Sequence, residues 1–239
     1  MQRYFINENQ INNNVVRIIN EDVHHIKNVM RMKINDKIIA VSDHNVYLCE
    51  IISYDGFVEA RIIEEINENN ELLIDVTIAQ GLVRREKTEE VIRRITELGA
   101  TKYIPVNMKR SIVKVKEAKT DRWNKIVKEA SEQSHRNRLM SINEVISINE
   151  LIKDRVNYDL CLFAHVDNQK LSLQDYLLDF KGKSILVLVG PEGGFDPSEV
   201  KLLINNGFKM VSLGNLVLRT ETAPLYIMSI LNSKFGESK

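Results

Sequence analysis

The chain has 239 residues, of which 44% are hydrophobic and 28% are charged, and its 33 basic and 33 acidic side chains leave a formal net charge of zero. These values are typical of a soluble globular protein and exclude the disordered and fibrous classes. No apolar run approaches the ~20 residues of a membrane helix, and the start, MQRYFINENQ, lacks the basic-then-apolar layout of a signal peptide, so we expect a cytoplasmic protein without membrane contact.

Residues 1 to about 70 predict a small β-barrel. The runs RYFI, VVRII, KIIAVSD, VYLCEIISY and FVEARIIEEI are rich in β-branched residues and are separated by Asn, Asp and Gly. The stretch EDVHHIKNVM fits a short helix with Val23, Ile26, Val29 and Met30 as its apolar residues. The polar stretch NENNE, residues 67–71, is interpreted as a linker. We therefore expect one domain over residues 1–70 and a second over 71–239.

From residue 72, strands alternate with helices, a pattern typical of a parallel α/β sheet covered on both faces. The predicted strands are Leu73–Ala79, Tyr103–Val106, Asp159–Phe163, Ser184–Val189 and Met210–Leu213, and the predicted helices are Lys87–Leu98 and about Asp121–Ser134. Cys49 and Cys161 lie in strand-like apolar contexts without metal-ligand spacing, which favours two reduced core cysteines.

Basic residues concentrate between Lys109 and Arg138, where ten basic side chains face four acidic ones. This leaves plus six in the segment and minus six elsewhere. Such a local positive field can hold phosphate groups on a neutral protein, and a solvated helix face explains the same charges equally well.

The first strand of the α/β region is followed by GLVRREKT, residues 81–88, which matches a phosphate-binding P-loop at every required position but one. The mismatch is Glu86, where the loop needs glycine and where a carboxylate would repel phosphate. The same strand end carries no G-x-G-x-x-G motif for a dinucleotide. Both common nucleotide-binding loops are therefore disfavoured.

The stretch LVGPEGGFDPSEV, residues 188–200, predicts a ligand-binding loop at the end of a buried strand. Gly190 and Pro191 end the strand, while Gly193 and Gly194 permit backbone angles and close approaches that other residues disfavour. Asp196, Pro197 and Glu199 then fit the start of a helix with a capping box. A purely structural turn is the alternative, which the position of Glu192 among these residues disfavours.

A second glycine-bearing loop, SLGNLVLRTET, follows the last predicted strand and precedes an apolar helix containing Ala223, Ile227, Met228 and Leu231. Loops at the carboxyl ends of adjacent strands can enclose one small molecule. We therefore expect the two loops to come from adjacent strands and to share a ligand.

Four blocks in this order, TELGATKYIPV (96–106), RWNKIVKEASEQSHRNRL (122–139), VGPEGGFDPSE (189–199) and LGNLVLRTETA (213–223), resemble the RsmE family of bacterial 16S ribosomal RNA uracil-N3 methyltransferases, of the SPOUT or trefoil-knot class. The resemblance covers nearly the whole chain. Three places depart from the family pattern: residues 83–89, where the family has a Pro-Lys-Gly-Asp-Lys-Met-Glu run, Met140 in place of a proline, and Leu216-Val217 in place of Arg-Ile.

The resemblance implies a PUA-like, RNA-binding β-barrel followed by an α/β SPOUT domain, a parallel sheet whose chain forms a trefoil knot. It also implies S-adenosylmethionine as cofactor, no metal, 16S ribosomal RNA of the small subunit as substrate and a homodimer. The implied cofactor contacts are Phe163, Leu188, Gly190, Pro191, Glu192, Gly193, Gly194, Leu213, Gly214, Leu218, Thr220 and Thr222.

Arg219 is the candidate for stabilising the charge that develops on the uracil carbonyl oxygens. A salt bridge to Glu221 or Glu192 that only shapes the loop is its alternative role. Glu221 and His135 are candidates for the general base, although Glu221 could simply cap the last helix and His135 could contact phosphate or solvent. The predicted RNA-binding residues are Arg84, Arg85, Lys87, Arg136 and Arg138.

Three other functions stay open on sequence alone. One is a nucleotide-using α/β enzyme, which the missing phosphate loops disfavour. The second is a non-catalytic RNA-binding or ribosome-assembly protein of the same fold, and the third is a knotted enzyme that methylates another base or a ribose. The intact GPEGG and LRTETA sequences favour a methyltransferase.

Overall fold

The computed structural model describes residues 1–42, 45–113, 120–166 and 171–236, which form two compact units. Unit 1 consists of Met1–Glu71 and Ser131–Leu139, and unit 2 consists of Leu72–Ala130 and Met140–Lys239. The sequence analysis placed residues 131–139 in the second domain, whereas the structure groups them with the first. Among the described residues, no helix has the length and apolar character needed to cross a membrane.

Unit 1 is built around a mixed sheet with the strand order β1-β4-β5-β6-β3-β2, in which β1 and β4 are parallel and the other neighbours antiparallel. Its elements are β1 (Arg3–Phe5), β2 (Ile11–Asn12), β3 (Val15–Ile18), α1 (Glu21–His24), β4 (Lys37–Ser42), β5 (Asn45–Tyr54) and β6 (Val58–Ile66). Ile38 and Ala40 of β4 pack with Cys49 and Ile51 of β5 in the core, following the two-residue period of a strand. The predicted β-strands of this region are confirmed.

The predicted helix over residues 21–30 differs from its expected pattern. After α1, residues His25–Val29 form a π-helical turn, in which Met30 N–H donates to His25 O at 2.8 Å. The wider turn breaks the 3.6-residue period on which the prediction of an apolar face depended. Ile26 is fully buried as a result, whereas Val29 and Met30 are exposed.

The polar segment 67–71, interpreted as a linker from its composition, is a packed part of unit 1. Glu71 is 6% exposed, and its carboxylate accepts hydrogen bonds from Arg136 Nη2 at 2.5 Å and from the Asn137 backbone at 2.9 Å. Glu68 forms an ion pair with Arg3, whose guanidinium also donates to the backbone oxygens of residues 135 and 136. Ion pairing with residues distant in sequence therefore buries Glu71 and ties down a stretch whose Asn67 and Asn69 stay exposed.

Unit 2 is an α/β unit around a parallel sheet with the strand order β10-β8-β7-β12-β11-β13, and β9 also pairs with β8. Its elements are β7 (Asp75–Gly81), α2 (Arg85–Glu97), β8 (Lys102–Asn107), α3 (Thr120–Gln133, whose last three residues belong to unit 1), β9 (Ser141–Ile142), β10 (Ile146–Ser147), α4 (Ile148–Asp154), β11 (Leu160–Ala164), α5 (Leu173–Leu177), β12 (Ser184–Val189), α6 (Pro197–Asn205), β13 (Lys209–Val211) and α7 (Thr222–Phe235). All five predicted strands and both predicted helices are present, and the short elements β9, β10, α4 and α5 were not predicted.

The sheet of unit 2 buries both faces. Along β12, Ile185, Val187 and Val189 belong to one apolar cluster, and the intervening Leu186 and Leu188 belong to another. This pattern explains the continuous apolar sequence of the strand. The α/β prediction is thus confirmed, and the threading of the last helix into a knot stays a prediction.

The strand order corrects one expectation about the two glycine-bearing loops. They were expected to follow adjacent strands, but β11 lies between β12 and β13. The carboxyl end of β11 therefore lies between the two loops, and the residues after Ala164 can contribute to a site that the loops form.

The cysteine prediction is confirmed, because Cys49 and Cys161 are both free and buried. Burial raises the pKa of the Cys49 thiol to about 12 and that of Cys161 to about 11. Both thiols are therefore protonated at neutral pH and are not nucleophiles.

Candidate active site

Unit 2 contains a cavity of about 570 Å³ at the carboxyl ends of β11, β12 and β13. Its wall comes from residues within three segments, 164–166, 189–195 and 213–223, together with Lys87 and Arg110. Open α/β sheets bind ligands at this edge, and the volume is in the range of small-molecule and cofactor sites. The expected proximity of the two glycine-bearing loops is confirmed.

The loop after β12 has the local structure that its sequence predicts. Gly194 has a φ of +66°, and its N–H donates to Pro191 O at 2.9 Å. A Cβ on Gly193 would lie 3.0 Å from the side chain of Arg110, so the glycine permits a close approach. The loop ends where Asp196 caps α6 by accepting a hydrogen bond from Ser198 N–H, and Glu199 completes the predicted capping box.

A buried hydrogen-bond network connects the second loop to the first. The Thr220 hydroxyl donates to Gly190 O at 2.7 Å. Gln80 Nε2 donates to Thr220 O at 2.8 Å and to Thr220 Oγ1 at 3.2 Å, and the Tyr103 hydroxyl donates to Gln80 Oε1 at 3.0 Å. Gln80 is fully buried, so these bonds stabilise its amide group in the interior and hold the loop after β13 against Gly190.

Lys87 joins the two loops by electrostatic contacts. It lies in the first turn of α2, and its Nζ is 3.1 Å from Glu221 Oε2 and 3.5 Å from Glu192 Oε1. The sequence analysis assigned Lys87 to RNA binding, whereas the structure places it in the cavity wall between two carboxylates.

Glu221 occupies the N-terminal cap position of α7, but its side chain makes no capping hydrogen bond. Its carboxylate pairs with Lys87 instead. Partial burial raises the pKa of Glu221, but its own backbone N–H, Lys87 and the charge of Arg219 lower it more, so the pKa lies below its ordinary value. Glu221 is consequently ionised at neutral pH.

Arg219 is exposed and lines the cavity. Its alternative role required a salt bridge to Glu192 or Glu221, and both carboxylates pair with Lys87. In the described part of the chain, Arg219 forms no ion pair of its own. Its guanidinium is therefore available to a molecule in the cavity.

The predicted cofactor residues divide into two groups. Those in the cavity wall are Gly190, Pro191, Glu192, Gly194, Leu213, Gly214, Leu218 and Thr220. Phe163 and Leu188 are buried in the core, Gly193 contacts Arg110, and Thr222 is exposed at the start of α7.

The cavity also has lining residues that the sequence analysis missed, among them His165 and Phe195. The sequence analysis did not identify His165, because no recognisable sequence pattern surrounds it. The signal that could have identified it is its position directly after a strand that neighbours two ligand loops, which required the strand order.

The predicted RNA-binding residues are divided between the two units. Arg84 and Arg85 are exposed at the start of α2, where Arg85 pairs with Glu89 at 2.7 Å. Arg136 is 3% exposed and paired with Glu71 in unit 1, so its placement does not support phosphate contact. Arg138 also contacts Glu71, at 3.3 Å.

The rest of the basic segment and the second base candidate can be placed only in part. Lys114, Lys116 and Lys119 lie outside the described residues. His135 is in unit 1 and is not among the residues that line the cavity of unit 2. In the ranges that the structure describes, no group of three or more His, Cys, Asp or Glu side chains is arranged to hold a metal ion.

Comparisons with known proteins agree with this architecture. Residues 70–232 match the family model described as an RNA methyltransferase domain, and residues 18–63 match the model described as an RNA methyltransferase PUA domain. The ribosomal RNA small subunit methyltransferase E of Bacillus subtilis is 40% identical over 97% of this chain and 96% of its own length. The protein of the same name from Synechocystis sp. is 30% identical over 97% of this chain and 77% of its own.

A solved structure extends this likeness to the fold. The crystal structure of a ribosomal RNA small subunit methyltransferase E from Neisseria gonorrhoeae, bound to S-adenosyl methionine, matches with a TM-score of 0.89 and 28% identity, covering 100% of both chains. The fold is therefore a PUA-like sheet unit followed by a parallel α/β methyltransferase unit. With both family models and full-length relatives in agreement, the chain belongs to the RsmE family of small-subunit ribosomal RNA methyltransferases.

Proposed function

We propose that this protein methylates N3 of a uridine in 16S ribosomal RNA, with S-adenosylmethionine as methyl donor. The observation that carries the proposal is the cavity between the loop after β12 and the loop after β13, in a chain of the RsmE family. A full-length structural relative is bound to the same cofactor.

The cavity residues fit this cofactor. A volume of about 570 Å³ can hold a nucleoside linked to an amino acid, and the wall combines apolar side chains such as Leu218 and Phe195 with the backbone of Gly190 and Gly194. When bound, S-adenosylmethionine would supply a methyl group on a positively charged sulfur, so that a nitrogen nucleophile bonds to the methyl carbon and S-adenosylhomocysteine leaves as the thioether.

We assign Arg219 the stabilisation of negative charge on the uracil. Removal of the N3 proton places negative charge on the neighbouring carbonyl oxygens, and a guanidinium at hydrogen-bond distance lowers the energy of that state. Arg219 suits this role because it lines the cavity while Lys87 pairs with both nearby carboxylates.

Glu221 is better suited to holding Lys87 than to acting as the general base. A base works best when its pKa is near the working pH, and the Lys87 contact and the Arg219 charge hold the pKa of Glu221 below its ordinary value. We therefore propose that Glu221 positions Lys87 and orders the loop, and that the N3 proton leaves to solvent.

The central experiment compares Arg219 with a matched arginine. Arg219→Ala is expected to lower kcat about 10²- to 10³-fold on undermethylated small subunits, the range for loss of one transition-state donor, and to leave S-adenosylmethionine affinity within about twofold. Arg84→Ala is expected to raise KM for RNA with little change in kcat, because Arg84 is exposed outside the cavity wall. An unchanged kcat in Arg219→Ala excludes its proposed role, and an inactive wild-type protein favours a non-catalytic RNA-binding function.

The RNA contacts are proposed at two surfaces. Arg84 and Arg85 offer exposed guanidinium groups in unit 2, and unit 1, which includes the match to the PUA model, contributes shape and backbone contacts. Because the substrate is ribosomal RNA, we propose that the protein acts in the cytoplasm.

We also propose that the protein is a homodimer, as the family resemblance implies. Unit 2 has a groove of about 440 Å³ between α5 and α7, lined in part by Leu178, Tyr226 and Ile230, and Leu178 is 73% exposed. Sedimentation of the wild-type protein is expected to give a dimer, and Leu178→Glu is expected to shift it toward the monomer. A wild-type monomer at micromolar concentration contradicts the proposal.

A further inference from the structure

His165 lines the cavity, and one of its ring nitrogens has no hydrogen-bond partner within the described ranges. In the part of the chain that the structure describes, its Nδ1 is buried and has no hydrogen-bond partner. The four other side-chain atoms found in this state belong to Arg3, Ser42, Trp123 and Ser131, and these residues do not line the cavity. A buried polar group without a partner costs free energy, so a ligand that supplies the partner gains affinity from it.

The imidazole ring is held in place from two sides. Its centroid is 6.4 Å from that of Phe163, with the planes at 76°, and 6.1 Å from that of Phe195, with the planes at 41°. The two phenyl rings contact each other edge to face at 5.5 Å. The His165 backbone N–H donates to Val211 O at 3.1 Å, which extends the pairing of β11 with β13. The ring therefore packs against both phenyl groups at the carboxyl end of β11.

The position of His165 in the sheet explains why it reaches the cavity. β11 lies between β12 and β13, and His165 directly follows β11 at the carboxyl edge of the sheet. Both glycine-bearing loops start from the neighbouring strands, so a molecule held between the loops meets the end of β11.

We propose that His165 Nδ1 forms a hydrogen bond with a polar atom of bound S-adenosylmethionine and is a cofactor-positioning residue of the site, an inference that rests on the proposed function. An imidazole nitrogen donates or accepts according to its tautomer. It therefore suits a ribose hydroxyl or an adenine nitrogen of the nucleoside, or the carboxylate or ammonium group of the amino-acid part.

Calorimetric titration with S-adenosylhomocysteine tests the proposal in full-length variants. His165→Asn places a polar atom near the position of Nδ1, His165→Gln places one near Nε2, and His165→Phe keeps an aromatic ring without either nitrogen. We expect the Asn variant to bind within about twofold of wild type, and the Gln and Phe variants to bind roughly tenfold more weakly, as for one lost hydrogen bond. The exposed His24 gives the control His24→Phe, for which we expect no change.

Thermal unfolding separates ligand contact from a purely structural role. Without ligand, His165→Phe is expected to be as stable as wild type or more stable, because it removes an unpaired buried atom. With saturating S-adenosylhomocysteine, its gain in Tm is expected to be smaller than that of wild type, since stabilisation by a ligand follows its affinity. If His165→Phe has a lower Tm without ligand and an unchanged affinity for S-adenosylhomocysteine, the imidazole only packs against the phenylalanines. That result overturns the proposal.

A second ligand identifies the contacted part of the cofactor. 5′-Methylthioadenosine lacks the amino-acid part, so an equal loss of affinity for both ligands in His165→Phe assigns the contact to the nucleoside. A loss confined to S-adenosylhomocysteine assigns it to the amino-acid part. Unchanged affinity for both ligands in the Phe and Gln variants overturns the inference alone, whereas a wild-type protein that binds neither ligand overturns the proposed function.

Discussion

The hydroxyl of Thr220 is predicted to be a main connection between the two loops of the cavity, and Thr220→Val tests this directly. Valine has nearly the same shape as threonine, so the change removes the hydroxyl and leaves the packing in place. The hydroxyl donates to Gly190 O at 2.7 Å and accepts from Gln80 Nε2 at 3.2 Å. Thr220 is 8% exposed, so water replaces these contacts poorly.

The expected loss is about 2 kcal/mol in the free energy of unfolding. The bond to Gly190 contributes about 1 kcal/mol, and the carbonyl that loses its partner adds a desolvation cost of similar size. The bond from Gln80 adds little, because Gln80 Nε2 also donates to Thr220 O at 2.8 Å. For a chain of this size, about 2 kcal/mol corresponds to a decrease in Tm of roughly 4–8 °C.

Thermal unfolding followed by circular dichroism measures the effect against two controls. Thr220→Ser keeps the hydroxyl and loses one methyl group, so we expect a loss of about 0.8 kcal/mol. Thr222→Val makes the same substitution at an exposed position, where we expect a change within about 0.5 kcal/mol. If Thr220→Val unfolds at or above the Tm of Thr220→Ser, the hydroxyl does not connect the loops as described.

Three further predictions concern close packing and charge. Gly81→Ala places a Cβ 2.4 Å from Pro191 Cδ, so we expect the free energy of unfolding, measured in urea, to fall by about 1–3 kcal/mol and cofactor binding to weaken. An unchanged urea midpoint contradicts this packing argument. Burial raises the pKa of Glu71, but its contacts with Arg136, the Asn137 backbone and Arg138 outweigh burial and lower the pKa below its ordinary value of 4.5. The stability from these contacts is therefore present above that pH and is lost as pH falls further. Glu71→Gln is expected to lower the free energy of unfolding by about 3 kcal/mol at pH 7 and to reduce the loss of stability in acid. Equal unfolding curves of the wild-type protein at pH 7 and pH 4 refute the predicted acid dependence. Lys87→Met leaves Glu221 without its partner, so we expect a loss of about 1 kcal/mol in the free energy of unfolding and a lower kcat/KM in the methyl-transfer assay. Lys87→Arg is expected to restore most of both. A methionine variant that matches wild type refutes the role of the ion pair.

Local chemistry made much of the fold predictable. The apolar run before Gly190 predicted a buried strand over Ser184–Val189, with the observed bounds. The Asp196 cap and the proline after it predicted the start of α6 at Pro197. These features depend on residues within a few positions of one another, so the sequence contains the information needed to predict them.

The charged residues were predicted less well, because their partners are distant in sequence. Lys87 and Arg136 both looked like phosphate ligands in a list of basic side chains. The fold pairs Lys87 with Glu221, 134 residues away, and Arg136 with Glu71, 65 residues away. Composition counts such charges but does not determine which of them meet.

By itself, the sequence determined the α/β class of unit 2, the position of both glycine-bearing loops and the family, since each depends on local patterns or on motif order. Only the tertiary structure decided that β11 lies between the two strands that precede the loops, which brings His165 to the cavity. It also decided that Thr220 meets Gly190 and that Lys87 bridges the carboxylates. The physical reason is that strand order and side-chain pairing depend on the packing of the whole chain, which brings together residues that are distant in the sequence.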